Sequence, residues 1–263
     1  MLLQPTLTIL HALKLHGMAH GLTQRLESPP HAELSHAEFV GLLVQDEKTH
    51  RDNQRLARLL KNARLKHNAT LEDINYTHPR GLAKQALMEL STARWITTPR
   101  HVLITGPTGV GKTFIASALG NLAARAGYTV LSIRAPRLFE TLQQARGDGS
   151  HLKLLAKLGK IQVLIIDDLL LTQPAEIERR DLLEIVEDRD GRWPLVITSQ
   201  CPIKEWHRSI GDPTLADAIC DRLLHTAFKI ELRGESMRKT KDKPRAESGP
   251  GTSGALQNDR PIG

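Results

Sequence analysis

The chain has 263 residues, 36 Lys plus Arg against 29 Asp plus Glu, and a formal net charge of +7. That length holds one sizeable α/β domain with a smaller attachment, and the positive balance favours a polyanionic partner, nucleic acid first. Its two cysteines, Cys201 and Cys220, match neither a metal spacing nor a disulfide framework, and no window approaches eighteen apolar residues. A disulfide-stapled or membrane-spanning chain is thereby excluded, and a cytoplasmic protein with buried thiols is expected.

In chain order, residues 1–70 carry helix-period leucine stretches at Leu7–Leu15, Leu34–Val44 and Asp46–Leu65, with turn chemistry at Ser28-Pro29-Pro30. They predict a small all-helical N-terminal domain. In the third stretch Arg51, Arg55 and Arg58 recur at i, i+4 and i+7, opposite Leu56, Leu59, Leu60 and Ala63. With Lys61, Arg64 and Lys66 they form a candidate patch for the phosphate backbone of duplex DNA; a plain solvated face has the same pattern. Residues 71–99 read as a linker containing Pro79-Arg80-Gly81 and a helix at Leu82–Thr92, with Met88 and its neighbouring leucines as core.

From residue 100 to 238 the period changes. Five short apolar runs, His101–Thr105, Thr129–Ile133, Val163–Asp167, Leu195–Ser199 and Phe228–Leu232, alternate with helix-compatible stretches. That alternation predicts an α/β fold, a five-stranded parallel sheet flanked by helices, with the loops after the strands gathered at one edge. Residues 239–263 lose periodicity and are rich in Gly, Pro, Ser and charge, so a disordered tail is expected.

After the first of those strands comes Gly106-Pro107-Thr108-Gly109-Val110-Gly111-Lys112-Thr113, which fits G-x-x-x-x-G-K-[ST] ahead of a helix over roughly residues 113–126. The glycines let backbone amides close around phosphate oxygens, Lys112 neutralises their charge, and the Thr113 hydroxyl is a ligand for Mg²⁺. The third strand ends in Asp167-Asp168: Asp167 is the candidate to hold a magnesium-bound water, Asp168 to polarise an attacking water. The fourth strand ends in Ser199-Gln200, where Gln200, with Ser199 as alternative, can sense a γ-phosphate; strand-end hydrogen bonding explains the spacing equally well.

These motifs resemble the AAA+ P-loop ATPases of the initiator and helicase-loader branch. A closer resemblance lies in Ser199-Gln200-Cys201-Pro202-Ile203-Lys204-Glu205-Trp206-His207, Gly211-Asp212-Pro213-Thr214-Leu215-Ala216-Asp217-Ala218, Asp221-Arg222-Leu223 and Gly234-Glu235-Ser236-Met237-Arg238-Lys239. Together these blocks are similar to the IstB-like ATP-binding proteins of the IS21 transposon family, over roughly residues 5–240. The resemblance implies ATP and Mg²⁺ as cofactors, ATPase activity, an ATP-dependent homo-oligomer, duplex target DNA and an IS21-type transposase as partner. It makes Arg222 an arginine finger for a neighbouring subunit's nucleotide and Arg238 a sensor in cis; spacing alone instead pairs Arg222 with Asp221 or Asp217.

In related initiators the region after the second strand faces a central DNA path, which nominates Arg137 and Lys153, among Arg134, Arg146, Lys157 and Lys160, for DNA contact. Only two Tyr, three Trp and four Phe occur, which argues against base stacking on single strands. The twelve histidines are scattered and read as packing, as does Trp206. Asp168 stands where many AAA+ proteins have Glu, so slow or partner-stimulated hydrolysis is expected. A replicative helicase loader, and an adaptor that binds ATP without turnover, are the alternatives.

Overall fold

The structure is a computed structural model and describes residues 3–27 and 34–237. The Ser28-Pro29-Pro30 turn, Arg238 and the expected tail over 239–263 lie outside the described residues.

The N-terminal part is helical: α1 (Leu3–Ala12), α2 (His16–Glu27) and α3 (His36–Ala63). The two stretches read between Leu34 and Leu65 form one helix of 28 residues, because no Gly or Pro interrupts the run from Leu42 to Ala63. It opens on a capping box, with Ser35 Oγ accepting from Glu38 N at 3.3 Å and Glu38 Oε2 accepting from Ser35 N at 2.8 Å.

Helix α2 lies between the leucine stretches read from the sequence and carries two glycines, Gly17 and Gly21. The close crossing with α3 explains Gly17: a Cβ there would stand 2.7 Å from the Asp46 carbonyl oxygen. Buried Glu47 of α3 accepts from Gly17 N at 2.7 Å and Met18 N at 3.1 Å, satisfying first-turn amides of α2.

Then follow α4 (Lys84–Ser91), α5 (Arg94–Thr97), β1 (Val102–Thr105), α6 (Lys112–Arg125), β2 (Val130–Arg134), α7 (Ala135–Gly147), α8 (His151–Gly159) and β3 (Val163–Leu169). The remainder is α9 (Glu176–Arg189), β4 (Leu195–Ser199), α10 (Trp206–Ile210), α11 (Pro213–Leu224) and β5 (Phe228–Glu231). The strands form one parallel sheet in the order β2-β3-β4-β1-β5.

Alternate residues of the strands enter two cores. Val102, Ile104, Val163, Ile165 and Val196 pack with α4, α5, α6 and the end of α3. Leu103, Leu164, Ile166, Leu195 and Ile197 pack with α7 to α11. Burial on both faces is why these strands read as continuous apolar runs rather than alternating ones. Leu56, Leu59, Leu60 and Ala63 of α3 join the first core, so the apolar side of the basic helix is seated on the sheet layer.

Two expectations are corrected. Met88 is 61% exposed while Leu87 and Leu90 are buried, because the helical step turns position 88 outward. Cys201 and Cys220 are part-buried free thiols, not fully buried ones. Trp206 is fully buried, its Nε1 donating to the Cys201 carbonyl at 3.0 Å. No helix among the described residues is long and apolar enough to cross a membrane.

Candidate active site

The sheet order brings the carboxyl ends of β1, β3 and β4 side by side. Thr105 pairs with Ser199, and Arg134 at the end of β2 pairs with Asp167. Leaving β1, the chain turns through residues 106–111 and enters α6 at Lys112. Gly106 has φ 145° and Gly111 φ 96°; added Cβ atoms would stand 2.3 Å from the Leu232 carbonyl oxygen and 2.5 Å from Arg80 Nη1. Only glycine fits there, and the loop wraps the positive end of α6, a natural anion seat. Lys112 is 5% exposed, with Nζ donating to the carbonyls of Gly106 at 2.7 Å and Pro107 at 2.8 Å.

Beside the loop, Thr113 Oγ1 donates to Asp167 Oδ1 at 2.9 Å and Thr198 Oγ1 donates to the same oxygen at 2.6 Å. The other oxygen of Asp167 is buried and has no hydrogen-bond partner. An orphaned carboxylate oxygen next to a loop hydroxyl fits a divalent cation, whose hydration shell would satisfy it. Thr198 has a second duty, accepting from Asp168 N at 2.9 Å, so one hydroxyl positions both acids. Asp168 lies in a bulge between β3 and β4 with φ 60°, and Arg134 grips its Oδ2.

Gln200 accepts from Thr108 Oγ1 at 2.7 Å and so reaches the phosphate loop. Ser199 is fully buried, donates to the Leu169 carbonyl at 2.6 Å and accepts from Cys201 N. Of the two, Gln200 faces the cavity and Ser199 ties strand ends together. The cavity is about 610 Å³, a size suited to a nucleotide, and its lining includes Lys66, Arg80, Thr108, Arg134, Asp168 and Gln200.

Three of these side chains were missed as site residues. Arg80, 2% exposed, donates to the carbonyls of Val110 at 2.8 Å and Asn75 at 3.0 Å, lashing the phosphate loop to the segment before β1. Burial lowers its pKa from the ordinary arginine value. Lys66, read as part of the basic face, turns toward Asp167, and Arg134, read as facing DNA, is engaged by Asp168. No local signal marks the first two; Thr198, also missed, stands two residues before Gln200 at the end of β4, a readable spacing.

Arg222 lies on α11 away from this chain's cavity. It donates to the Ala218 carbonyl at 2.9 Å and pairs with Glu187 at 2.9 Å, in place of Asp221 or Asp217. Of the candidate DNA contacts, Arg51 pairs with Glu47 at 2.6 Å and Arg55 reaches the Gly127 carbonyl at 3.5 Å. Arg58, Lys61, Arg137 and Lys153 are exposed, whereas Arg146 is taken by Asp181. Arg238 is outside the described residues.

A family model described as IstB-like ATP binding protein matches residues 8–246. A Sinorhizobium fredii protein named as an insertion sequence ATP-binding protein is 46% identical over 239 residues, covering 91% of this chain and 98% of its own. A Pseudomonas fluorescens protein so named, from insertion sequence IS1162, is 45% identical across 77% of this chain and 88% of its own. Among solved structures, DnaI is similar at TM-score 0.54 and 21% identity, covering 68% of this chain and 92% of that one. The replication initiator DnaA bound to AMPPCP and single-stranded DNA is similar at TM-score 0.53 and 15% identity, covering 70% and 59%. At those identities the likeness is one of fold, the AAA+ P-loop core.

Proposed function

Because the chain belongs to the family of IstB-like ATP-binding proteins, we propose that it is an ATP-dependent transposition helper. It assembles on target duplex DNA in the cytoplasm, regulates delivery of that DNA to a partner transposase, and disassembles when ATP is hydrolysed. The observation that carries this reading is the convergence of Lys112, Thr113, Asp167, Asp168 and Gln200 around one nucleotide-sized cavity. Amides of residues 106–113 and the Lys112 ammonium hold the phosphates. Thr113 would hold Mg²⁺ and Asp167 a water bound to it, and the ion would supply positive charge to neutralise the transferred phosphoryl group. Asp168 accepts a proton from the attacking water and Gln200 orients it. Arg222, half-exposed on α11, serves the site of a neighbouring copy.

Relatives at 44–46% identity are named for insertion sequences, whereas the DnaI likeness is one of fold, which favours transposition over helicase loading. The exposed cations Arg58, Lys61, Arg137 and Lys153 supply a backbone-tracking surface for duplex DNA. Sedimentation with a non-hydrolysable ATP analogue and duplex DNA tests this: large salt-sensitive complexes are expected. Persistent monomers at low salt, or a clear preference for competing single strands, would count against it.

A further inference from the structure

The buried free oxygen of Asp167 has one cation from outside the family motifs beside it. Lys66 Nζ stands 3.9 Å away, on a side chain 47% exposed. Its position is fixed by the end of α3. Ala63 is fully buried, Arg64 stops the helix with φ 51°, and Leu65 packs so closely on α6 that a Cβ at Gly120 would meet it at 2.6 Å. Lys66 therefore leaves the helix that carries Arg55, Arg58 and Lys61 and arrives at the acid that serves the nucleotide site.

We propose that Lys66 is the shared cation through which DNA binding and magnesium-nucleotide binding favour one another. The proposal rests on the nucleotide reading of the site. A hydrated divalent cation and an ammonium group draw on the same buried carboxylate oxygen, so Lys66 competes with the metal's water shell for Asp167. Its flexible, half-exposed stem lets it swing outward to a phosphate of duplex DNA tracked by the proposed basic surface of α3. Drawing Lys66 onto DNA frees Asp167 for metal; by reciprocity, metal on Asp167 releases Lys66 to DNA.

The test follows binding of a fluorescent non-hydrolysable ATP analogue to the full chain as Mg²⁺ is titrated, with and without duplex DNA. For the unsubstituted protein, DNA is expected to lower the Mg²⁺ midpoint. Lys66→Ala is expected to lower the DNA-free midpoint roughly two- to fivefold, the range of a half-exposed ion pair, and to abolish the further effect of DNA. Lys66→Arg should keep both behaviours. Arg125→Ala, which removes the same charge at the far end of α6, should behave as the parent. A Lys66→Ala protein with the parental midpoint and the parental DNA effect overturns the proposal and leaves the nucleotide site standing. Failure of the parent to bind the analogue at saturating Mg²⁺ overturns both.

Discussion

Arg134, the last residue of β2, closes Nη2 and Nε on one oxygen of Asp168, at 3.0 and 3.2 Å. Asp168 meanwhile holds a left-handed backbone, φ 60°, that non-glycine residues adopt at a cost of about 1–3 kcal/mol. The pair ties up one of the two oxygens of the carboxylate proposed to act on the attacking water.

Arg134→Ala is therefore expected to raise DNA-independent phosphate release a few-fold, whereas Asp168→Asn should lower turnover by about 10²–10⁴ while leaving nucleotide uptake intact. Single-turnover phosphate release measures both. If Arg134→Ala falls as far as Asp168→Asn, Arg134 assists the reaction instead of restraining it.

Thr198 is buried, and its hydroxyl joins Asp167 Oδ1 to Asp168 N. Thr198→Val keeps the shape and removes the link, leaving a part-buried amide unpaired. A loss of about 1–3 kcal/mol in urea unfolding is expected, with a drop in turnover larger than the drop in nucleotide affinity. Thr198→Ser should restore most of both.

Arg80 bridges the carbonyls of Val110 and Asn75 from a buried position. A lysine cannot present two donors in that planar fork. Arg80→Lys should cost about 1–3 kcal/mol of stability and weaken ATP-analogue binding, both read from one preparation by denaturation and fluorescence titration.

The Arg222–Glu187 pair is surface-exposed, 31% and 48%, and such pairs are worth about 0–1 kcal/mol, so Arg222 can leave it cheaply for another subunit. Arg222→Ala should lose roughly a hundredfold or more in DNA-stimulated hydrolysis and still bind nucleotide. Mixed with Lys112→Ala, it should regain activity, since an intact loop then meets an intact arginine. A mixture as inactive as its components contradicts a site shared between copies.

His101, just ahead of β1, is 2% exposed, and its Nδ1 accepts from Leu195 N at 3.0 Å. Burial, and next the Arg189 guanidinium, pull its pKa from 6.5 down to about 4. Between those values the unfolded chain binds the proton and the folded one does not, so stability is full above pH 6.5 and falls as pH drops toward 4. Over that window the loss approaches about 3 kcal/mol. Urea midpoints from pH 7 to 4 should fall less steeply for His101→Gln, which keeps an acceptor and cannot titrate.

Much of the fold is written in local pattern. The five strands are continuous apolar runs because both sheet faces are covered, and the phosphate loop and Asp167-Asp168 announce themselves by residue type at strand ends. What the sequence hides is tertiary. The close approach of α3 to Gly17 and Gly21 has no local sequence signal, and Arg80 sits in a Pro-Arg-Gly turn sequence that does not disclose Val110 and Asn75 as its partners. Lys66 and Arg134 read as surface cations because the carboxylates they meet lie 101 and 34 positions further along the chain.

Calorimetric titration of the full chain with a non-hydrolysable ATP analogue and Mg²⁺, beside Lys112→Ala, tests the grip of loop amides and one ammonium on a triphosphate most directly. One saturable site in the parent and a steep loss of affinity in Lys112→Ala are expected. No binding heat from the folded parent at any analogue concentration, or equal binding by both proteins, would contradict the assignment of this cavity.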